Sequence, residues 1–109
     1  MRLADDEAAR AWLEEGPGLD WDAGNLTKNR KHGVRPEDIE AVVAVLPVFV
    51  GRIVEPTHDE PRWLLLGQDA RGVRLALVFT RRGDRLRPIS CRRMRRNERR
   101  LYEEACQEG

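Results

Sequence analysis

Imidazole is the side chain that most readily transfers protons near neutral pH, and this sequence contains two, His32 and His58. Lys31-His32-Gly33 places a cation and an imidazole where a helix is predicted to end, since glycine commonly follows a helix C-terminus. Capping and compensation of the helix dipole explain His32 taken alone. Beside a cationic cleft, His32 could instead act as a general acid or base and Lys31 as a phosphate clamp.

A second polar segment, Thr57-His58-Asp59-Glu60, precedes Arg62 at a predicted loop-to-strand transition. Functional side chains are common at such transitions. A solvated turn is nevertheless a fair explanation of His58 and Asp59. Arg62 begins the strand that follows.

Two further positions place a charge on a packing face. Strand alternation puts Arg87 on the same face as Ile89 and Cys91, so we expect Arg87 to pair with a carboxylate or reach into a cleft. Pro88 cannot donate to a strand ladder, which predicts an edge strand or a bulge.

Glu98 lies at helical spacing from Met94 and Tyr102 and therefore shares a helix face with an apolar and an aromatic residue. A catalytic role and a structural one explain it equally well. In the structural interpretation, Glu98 pairs with Arg92 or with one of the two arginines named above.

The formal net charge of +1 is unevenly distributed along the chain. Residues 1–24 hold seven acids and two arginines, whereas residues 81–100 hold ten arginines and two acids. Codon bias could explain why eighteen of the twenty basic residues are arginine, but it does not explain the clustering. Arginine binds phosphate in a bidentate manner, so the cluster points to a polyanionic partner.

Length and composition exclude several classes of protein. A chain of 109 residues predicts one domain with a modest core, too small for a multi-domain cofactor enzyme. The longest apolar run, Ala41 to Val50, contains Pro47 and is too short to cross a bilayer. The acidic N-terminus is unlike a targeting peptide, so we expect a cytoplasmic protein. Cys91 and Cys106 lack metal-ligand spacing and no phosphate-binding loop is present, so we expect neither metal nor cofactor.

Apolar periodicity and turn residues predict an α+β chain, with helices flanking a meander of antiparallel strands. The predicted helices are Ala4–Glu15, one that Asp22 caps and that ends at His32-Gly33, one from Pro36 to Pro47, and one from about Arg95 to Cys106. The predicted strands are Leu19–Asp22, Val48–Val54, Trp63–Gln68, Arg74–Thr80 and Asp84–Cys91. Val34 and Ile39 have the spacing of a hydrophobic staple. The residues of the last helix expected to face the sheet are Met94, Leu101, Tyr102, Ala105 and Cys106.

Five motifs occur in fixed order across residues 19–104. They are Trp21-Asp22-Ala23-Gly24-Asn25 with Lys28 and Lys31-His32-Gly33-Val34, Glu60-x-Arg62 with Leu66-Gly67, Val78-Phe79-Thr80-Arg81-Arg82-Gly83-Asp84, Leu86-Arg87-Pro88-Ile89-Ser90-Cys91-Arg92, and Glu98-Arg99-x-x-Tyr102-Glu103. Together they resemble the BrnT family of toxins from type II toxin-antitoxin systems. Two positions depart from the family pattern: Cys91 stands where alanine is frequent, and Arg95 where threonine would complete a capping box with Glu98.

The resemblance implies a RelE-like fold in which an antiparallel sheet of three to five strands packs with N-terminal helices and a C-terminal helix. It implies metal-independent RNA cleavage that arrests translation. It also implies a BrnA-type antitoxin as partner, with operator DNA bound only through the antitoxin complex and no membrane partner. The family's polar positions fall on Lys31, His32, Glu60, Arg62, Arg87, Arg92, Glu98 and Tyr102.

Our hypothesis is that the predicted site cleaves RNA. Arg62, Arg87 and Arg92 bind the scissile phosphate, Lys31 assists, and His32 or Glu60 is the base, while Glu98 and Tyr102 orient the arginines. The outlying RNA-binding arginines are predicted to be Arg81, Arg85, Arg95 and Arg96. The alternative is a module that uses the same arginine-rich surface to bind nucleic acid or an antitoxin without cleavage.

The acidic N-terminal segment lies before the family motifs. We expect residues 1–18 to form a mostly helical extension and residues 19–109 the single toxin-like domain. The charge of the segment suggests that it could fold over the arginine surface and compete with RNA.

Overall fold

The computed structural model describes residues 1–21 and 33–108. Its elements in chain order are β1 (Arg2–Ala4), α1 (Glu7–Glu14), α2 (Pro36–Ala44), β2 (Val48–Glu55), β3 (Trp63–Gln68), β4 (Arg74–Arg82), β5 (Arg85–Arg93) and α3 (Arg96–Glu108). The strands form one sheet in the order β1-β2-β3-β4-β5, and every neighbouring pair is antiparallel. The predicted α+β class and antiparallel sheet are confirmed.

Strands β2 to β5 lie where the sequence predicted strands, and β4 extends beyond Thr80 to Arg82, closer to its turn with β5. Arg82 and Arg85 still pair across this hairpin, leaving Gly83 and Asp84 as a two-residue turn. Gly83 has φ of +61°, which the first central position of such a turn requires and glycine adopts without strain. The charged residues around the turn had suggested an earlier end to β4, whereas β5 was expected from Asp84 to Cys91 and runs from Arg85 to Arg93.

The start of the first predicted helix is wrong, because residues 2–4 form strand β1 on the edge of β2. Asp6 begins α1 instead, since its carboxylate accepts the Ala9 N–H at 3.1 Å. Gly51 permits the approach of β1: a Cβ there would lie 2.5 Å from the Ala4 carbonyl oxygen. The N-terminal residues therefore supply one strand and one helix to the sheet and core, whereas the division of the chain at residue 18 remains a prediction.

The two faces of the sheet pack against different helices. Face A carries Leu65, Leu77 and Phe79, which form one core cluster with the buried residues of α1 and α2. Ala9 and Trp12 supply the α1 contribution. Those from α2 and its approach are Val34, Ile39 and Val42, so the two staple residues are buried in one cluster. The cluster fixes α1 and α2 on face A.

Face B carries Leu64, Leu66, Ala76 and Val78, and α3 packs against it through Tyr102. Met94, just before α3, joins the same cluster. Leu101 was expected to face the sheet, but it is 42% exposed and the prediction is wrong. Cys106 is also exposed, because the apolar side of α3 narrows beyond Tyr102.

A bulge in β5 changes the face on which Arg87 lies. Pro88 pairs with Phe79 and Ser90 with Val78, so Ile89 is an extra residue between them. Residues on either side of the bulge lose simple alternation, and Arg87 lies opposite Thr80 on face B while Cys91 lies on face A. The expectation that Arg87 shares a face with Cys91 is therefore wrong, whereas Pro88 does mark an edge strand and its bulge.

The segment before residue 22 runs beside β5 rather than forming a strand of several residues. Leu19 makes a single parallel bridge to Leu86. Gly18 accepts the Leu86 N–H at 2.8 Å, and the Asp20 N–H donates to the Leu86 carbonyl at 2.9 Å. Asp22 and the helix predicted to end at His32 lie outside the described residues. Within the described ranges, no helix is long and apolar enough to span a membrane.

Candidate active site

Three strands bring Arg62, Thr80 and Arg87 into one row across face B. Thr80 pairs directly with Arg87, and continuing the β3–β4 register by one residue places Arg62 opposite Thr80. Neighbouring strands are about 4.8 Å apart, so the row spans about 10 Å between its outer Cα atoms. The buried Thr80 hydroxyl donates to the Pro61 carbonyl at 2.6 Å, which fixes the start of β3 against β4.

A second row lies next to the first, towards the β4–β5 turn. Arg82 is two residues from Thr80 and therefore on the same face, and it pairs with Arg85. Glu60 approaches from the β2–β3 loop, with its carboxylate 3.3 Å from the Arg82 guanidinium. We call this group the hairpin-end site; its members are Glu60, Arg62, Thr80, Arg82, Arg85 and Arg87.

Two arginines of the hairpin-end site have partners from the segment beside β5. Arg87 forms an ion pair with Asp20 at 3.6 Å, and its side chain is 20% exposed. Arg85 donates to the Leu19 carbonyl at 3.1 Å. These contacts hold two guanidinium groups at the same end of the sheet.

Arg62 differs from its neighbours because its Nε atom is buried and has no hydrogen-bond partner among the described residues. A buried guanidinium donor without an acceptor is costly, so the position favours an anion or a polar ligand. Arg62 also lines an open cleft of about 420 Å³. The other residues lining this cleft are Thr57, His58, Asp59, Glu60 and Arg82.

Arg92 lies on face B as well, but its guanidinium forms a bidentate ion pair with Glu98 of α3. Its Nη1 and Nη2 donate to the two Glu98 carboxylate oxygens at 2.7 and 2.9 Å. Glu98 also accepts the Arg95 N–H at 2.8 Å, which is one half of the capping box that the Arg95 side chain leaves incomplete. The structural interpretation of Glu98, an ion pair with an arginine, is therefore present in the fold.

Electrostatics reinforce this ion pair, which we call the helix-end clamp, consisting of Arg92, Glu98 and the Arg95 N–H. Burial by itself would raise the pKa of Glu98, but hydrogen bonds from Arg92 and Arg95 outweigh burial and lower it. The hydrogen bond from Glu98 in turn raises the pKa of Arg92. Both partners therefore stay charged at neutral pH.

Tyr102 lies in the core beside the clamp rather than in a cleft. Its ring packs with Leu64 and Ala76, and the Arg74 guanidinium lies 6.0 Å from the ring centre. Burial is the main reason that the pKa of Tyr102 is raised, followed by its interaction with Cys106. This environment supports packing and keeps the phenol neutral.

The structure thus brings only part of the predicted site together. Arg87 pairs with Thr80 and Arg92 with Ala76, four residues apart on β4, which corresponds to about 13 Å along the strand. The predicted site residues at the hairpin end are Glu60, Arg62 and Arg87, and those near the clamp are Arg92, Glu98 and Tyr102. Lys31 and His32 lie outside the described residues.

Comparison with protein families identifies the chain. Residues 21–98 match the family model described as ribonuclease toxin, BrnT, of type II toxin-antitoxin system. The chain belongs to the BrnT family. A search of curated proteins finds no match. The match confirms the resemblance seen in the sequence. Membership of the family implies a ribonuclease toxin that has RNA as its substrate and an antitoxin protein as its partner.

The BrnT match extends from before the first cationic motif to Glu98, so it includes the hairpin-end site and the clamp. The remaining predicted RNA-binding arginines lie at separate places. Arg81 points to face A, where its guanidinium lies 4.6 Å from the ring centre of Trp12. Arg85 belongs to the hairpin-end site, whereas Arg95 and Arg96 lie at the beginning of α3. The arginine run is therefore distributed over both faces of this BrnT chain.

Sequence reasoning missed Arg82 as a site residue and treated His58 as part of a turn. The missed signal for Arg82 was its two-residue spacing from Thr80, which places both on one strand face. His58 could not be placed, because only the fold shows that its loop and the end of β4 line one cleft.

A larger concave region among the described residues of this BrnT chain lies on the other face. A groove of about 640 Å³ runs between α1 and α2 on face A, and its walls are mainly apolar, including Leu13, Val43, Phe49 and Leu65. In residues 1–21 and 33–108, no group of three or more His, Cys, Asp or Glu side chains could hold a metal ion. Cys91 is buried in the face A core, and burial raises the pKa of its thiol to about 12. We therefore place the candidate chemistry at the arginine-lined cleft on face B.

Proposed function

We propose that this protein is a metal-independent endoribonuclease whose active centre is the hairpin-end site. One observation carries the proposal: four arginines converge on one end of face B, beside the Glu60 carboxylate, and the buried Arg62 Nε has no acceptor among the described residues. Such an arrangement suits a phosphodiester, because guanidinium groups bind phosphate oxygens in a bidentate manner. Membership of a ribonuclease toxin family supports the same substrate.

Cleavage of RNA without a metal needs only groups that this chain can supply. A base removes the proton of the 2′-hydroxyl, and the 2′-oxygen forms a bond to phosphorus as the bond from phosphorus to the 5′-oxygen breaks. An acid gives a proton to the departing 5′-oxygen. The products are a 2′,3′-cyclic phosphate and a 5′-hydroxyl. Cations placed around the phosphate stabilise the charge that develops on its oxygens.

The residues of the hairpin-end site divide these roles. Arg62 and Arg87 bind the scissile phosphate, with Arg82 and Arg85 along the RNA backbone on either side. Glu60 is the base, because its carboxylate lies beside the arginines and a carboxylate can accept a proton. Lys31 remains the assisting cation and His32 the alternative base. Glu98 orients Arg92, and this pair acts on the site through the position of β5.

The cellular role that we propose follows from the family. RNA cleavage arrests translation, and a BrnA-type antitoxin neutralises the toxin and binds operator DNA when the two are in complex. We place the protein in the cytoplasm, where its RNA substrate and its antitoxin meet. A test in bacteria is expression with and without the neighbouring gene product: growth arrest only without it supports the role, and harmless expression alone contradicts it.

The biochemical test uses the purified wild-type protein and an end-labelled single-stranded RNA. We expect cleavage in excess EDTA, with 2′,3′-cyclic phosphate and 5′-hydroxyl ends. Loss of cleavage in EDTA that added Mg²⁺ restores would contradict metal independence. RNA binding without cleavage would favour the alternative, a nucleic-acid-binding module.

A further inference from the structure

The β2–β3 loop carries an imidazole into the arginine-lined cleft. Residues 56–61 connect Glu55 to Arg62, and the loop lines the same cleft of about 420 Å³ as Arg62 and Arg82 through Thr57, His58, Asp59 and Glu60. His58 is exposed, so its ring is accessible to a ligand in the cleft. The Thr80 hydroxyl, which donates to the Pro61 carbonyl at 2.6 Å, ties the end of this loop to β4.

The described residues of the cleft differ in what they can do with a proton. Arginine keeps its proton at any physiological pH, and a threonine hydroxyl is a poor acid. An ionised carboxylate has no proton to donate, and Glu60 already serves as the proposed base. Imidazole is the remaining type, and its protonated form donates a proton near neutral pH.

We propose that His58 is the general acid of the cleavage reaction, a role that rests on the proposed ribonuclease function. Glu60 takes the 2′-hydroxyl proton as the 2′-oxygen bonds to phosphorus. Protonated His58 gives its proton to the 5′-oxygen as the bond between that oxygen and phosphorus breaks. The pair ends as a protonated Glu60 and a neutral His58, and exchange of one proton with water restores both.

A substrate with sulfur in place of the bridging 5′-oxygen tests this role. A thiolate is a much better leaving group than an alkoxide and departs without a proton, so the substrate bypasses a missing acid. We expect His58→Ala to cleave ordinary RNA about 10²-fold or more slowly than wild type, as loss of a general acid does. On the sulfur substrate, we expect His58→Ala to recover a rate close to that of wild type.

Three variants serve as controls. Glu104→Ala changes an exposed residue of α3, outside the cleft, and should cleave both substrates like wild type. Glu60→Gln removes the proposed base, so it should stay slow on both. His32→Ala tests the other histidine, and recovery of this variant, instead of His58→Ala, on the sulfur substrate would overturn the assignment. Thermal unfolding confirms that each variant is folded.

The outcomes distinguish a failure of the role proposed for His58 from a failure of the proposed ribonuclease function. If wild type cleaves ordinary RNA and His58→Ala does so equally well, the role of His58 is overturned while the ribonuclease function stands. Equal slowing of His58→Ala on both substrates would make His58 a positioning residue and also overturn the role. If wild type cleaves neither substrate, both the ribonuclease function and the role of His58 as general acid are overturned.

Discussion

The hairpin-end site and the helix-end clamp use the same residue types on the same face of one sheet, yet they differ in how their hydrogen bonds are satisfied. In the clamp, both oxygens of the Glu98 carboxylate bind Arg92, and the Glu98 side chain is only 9% exposed. In the hairpin-end site, Arg82 is 52% exposed and the buried Arg62 Nε has no described partner. One group is closed by its own contacts, and the other can still accept a ligand.

The difference shows that an arginine's neighbours, rather than its place in a charged run, decide what it does. A buried, bidentate ion pair fixes α3 to β5, and breaking it leaves a buried charge without compensation. A half-exposed arginine with unused N–H donors loses little free energy when a phosphate replaces water at its guanidinium. The comparison predicts that substitutions at the hairpin end reduce cleavage, whereas substitutions in the clamp reduce stability.

The largest effect is expected at Arg87. Arg87→Ala removes a guanidinium that we propose binds the scissile phosphate, and losing one such group should slow cleavage about 10²–10³-fold. Arg93→Ala is the matched control, since it removes the same charge from the other end of the same strand. Single-turnover cleavage of a labelled RNA measures both rates. A wild-type rate for Arg87→Ala, or equal slowing by Arg93→Ala, would remove the distinction between the two ends.

The next effect is on stability. Arg92→Ala leaves the buried Glu98 carboxylate unpaired, so we expect the free energy of unfolding to fall by about 3 kcal/mol. The double variant Arg92→Leu/Glu98→Leu removes both charges and should recover much of this loss. Urea denaturation measures both values. A loss below about 0.5 kcal/mol for Arg92→Ala would contradict this prediction, because it would show that the ion pair contributes no more than a solvent-exposed one.

Low pH should weaken the ion pair between Arg92 and Glu98 in the helix-end clamp. The pKa of Glu98 is lower in the folded protein than in the unfolded chain, so its stabilising contribution is complete above the unfolded value of about 4.3. This contribution is lost as the pH falls through the lower, folded pKa, at about 1.4 kcal/mol for each unit of depression. Asp38 and Asp69 act in the same direction. Glu98→Gln should therefore narrow the stability difference between pH 7 and pH 3, and an unchanged difference would contradict the role of the clamp.

The smallest effect concerns Arg82 and Arg85, which we propose to lie along the RNA backbone. Each phosphate that the protein neutralises on single-stranded RNA contributes about 0.7 to the slope of log affinity against log salt. Arg82→Ala and Arg85→Ala should each reduce the slope by about that amount. Arg81→Ala should leave it unchanged, because that side chain lies over Trp12 on face A. A reduced slope for Arg81→Ala would extend the RNA path to the opposite face.

Much of the fold was predictable from local patterns. Apolar runs and the turn residues between them placed β2 to β5, and Pro36 placed the beginning of α2. Strand β1 was not predictable, because three residues carry no period and their pairing depends on the edge of β2. A non-local partner overrode the helical preference of the segment.

The site was predictable in its residue types but not in its grouping. The resemblance singled out Arg62, Arg87 and Arg92 together, and alternation alone could not reveal the extra residue at Ile89 that changes which side chains share a face. The cleft was equally hidden, since it forms where a loop meets the end of β4, and Arg82 lies 22 residues beyond Glu60 in the chain. The sequence therefore identified the arginines, and only the tertiary structure showed which of them lie together in one site.

The most direct test of the assignment of the active centre to the hairpin end compares Arg62→Ala with Arg92→Ala by single-turnover RNA cleavage. The conditions are those under which unfolding measurements show both variants to be folded. The account predicts that Arg62→Ala cleaves at least about 10²-fold more slowly than wild type, while folded Arg92→Ala stays within a few-fold of it. The reverse result, with Arg62→Ala near the wild-type rate and folded Arg92→Ala inactive, would contradict the assignment of the active centre to the hairpin end.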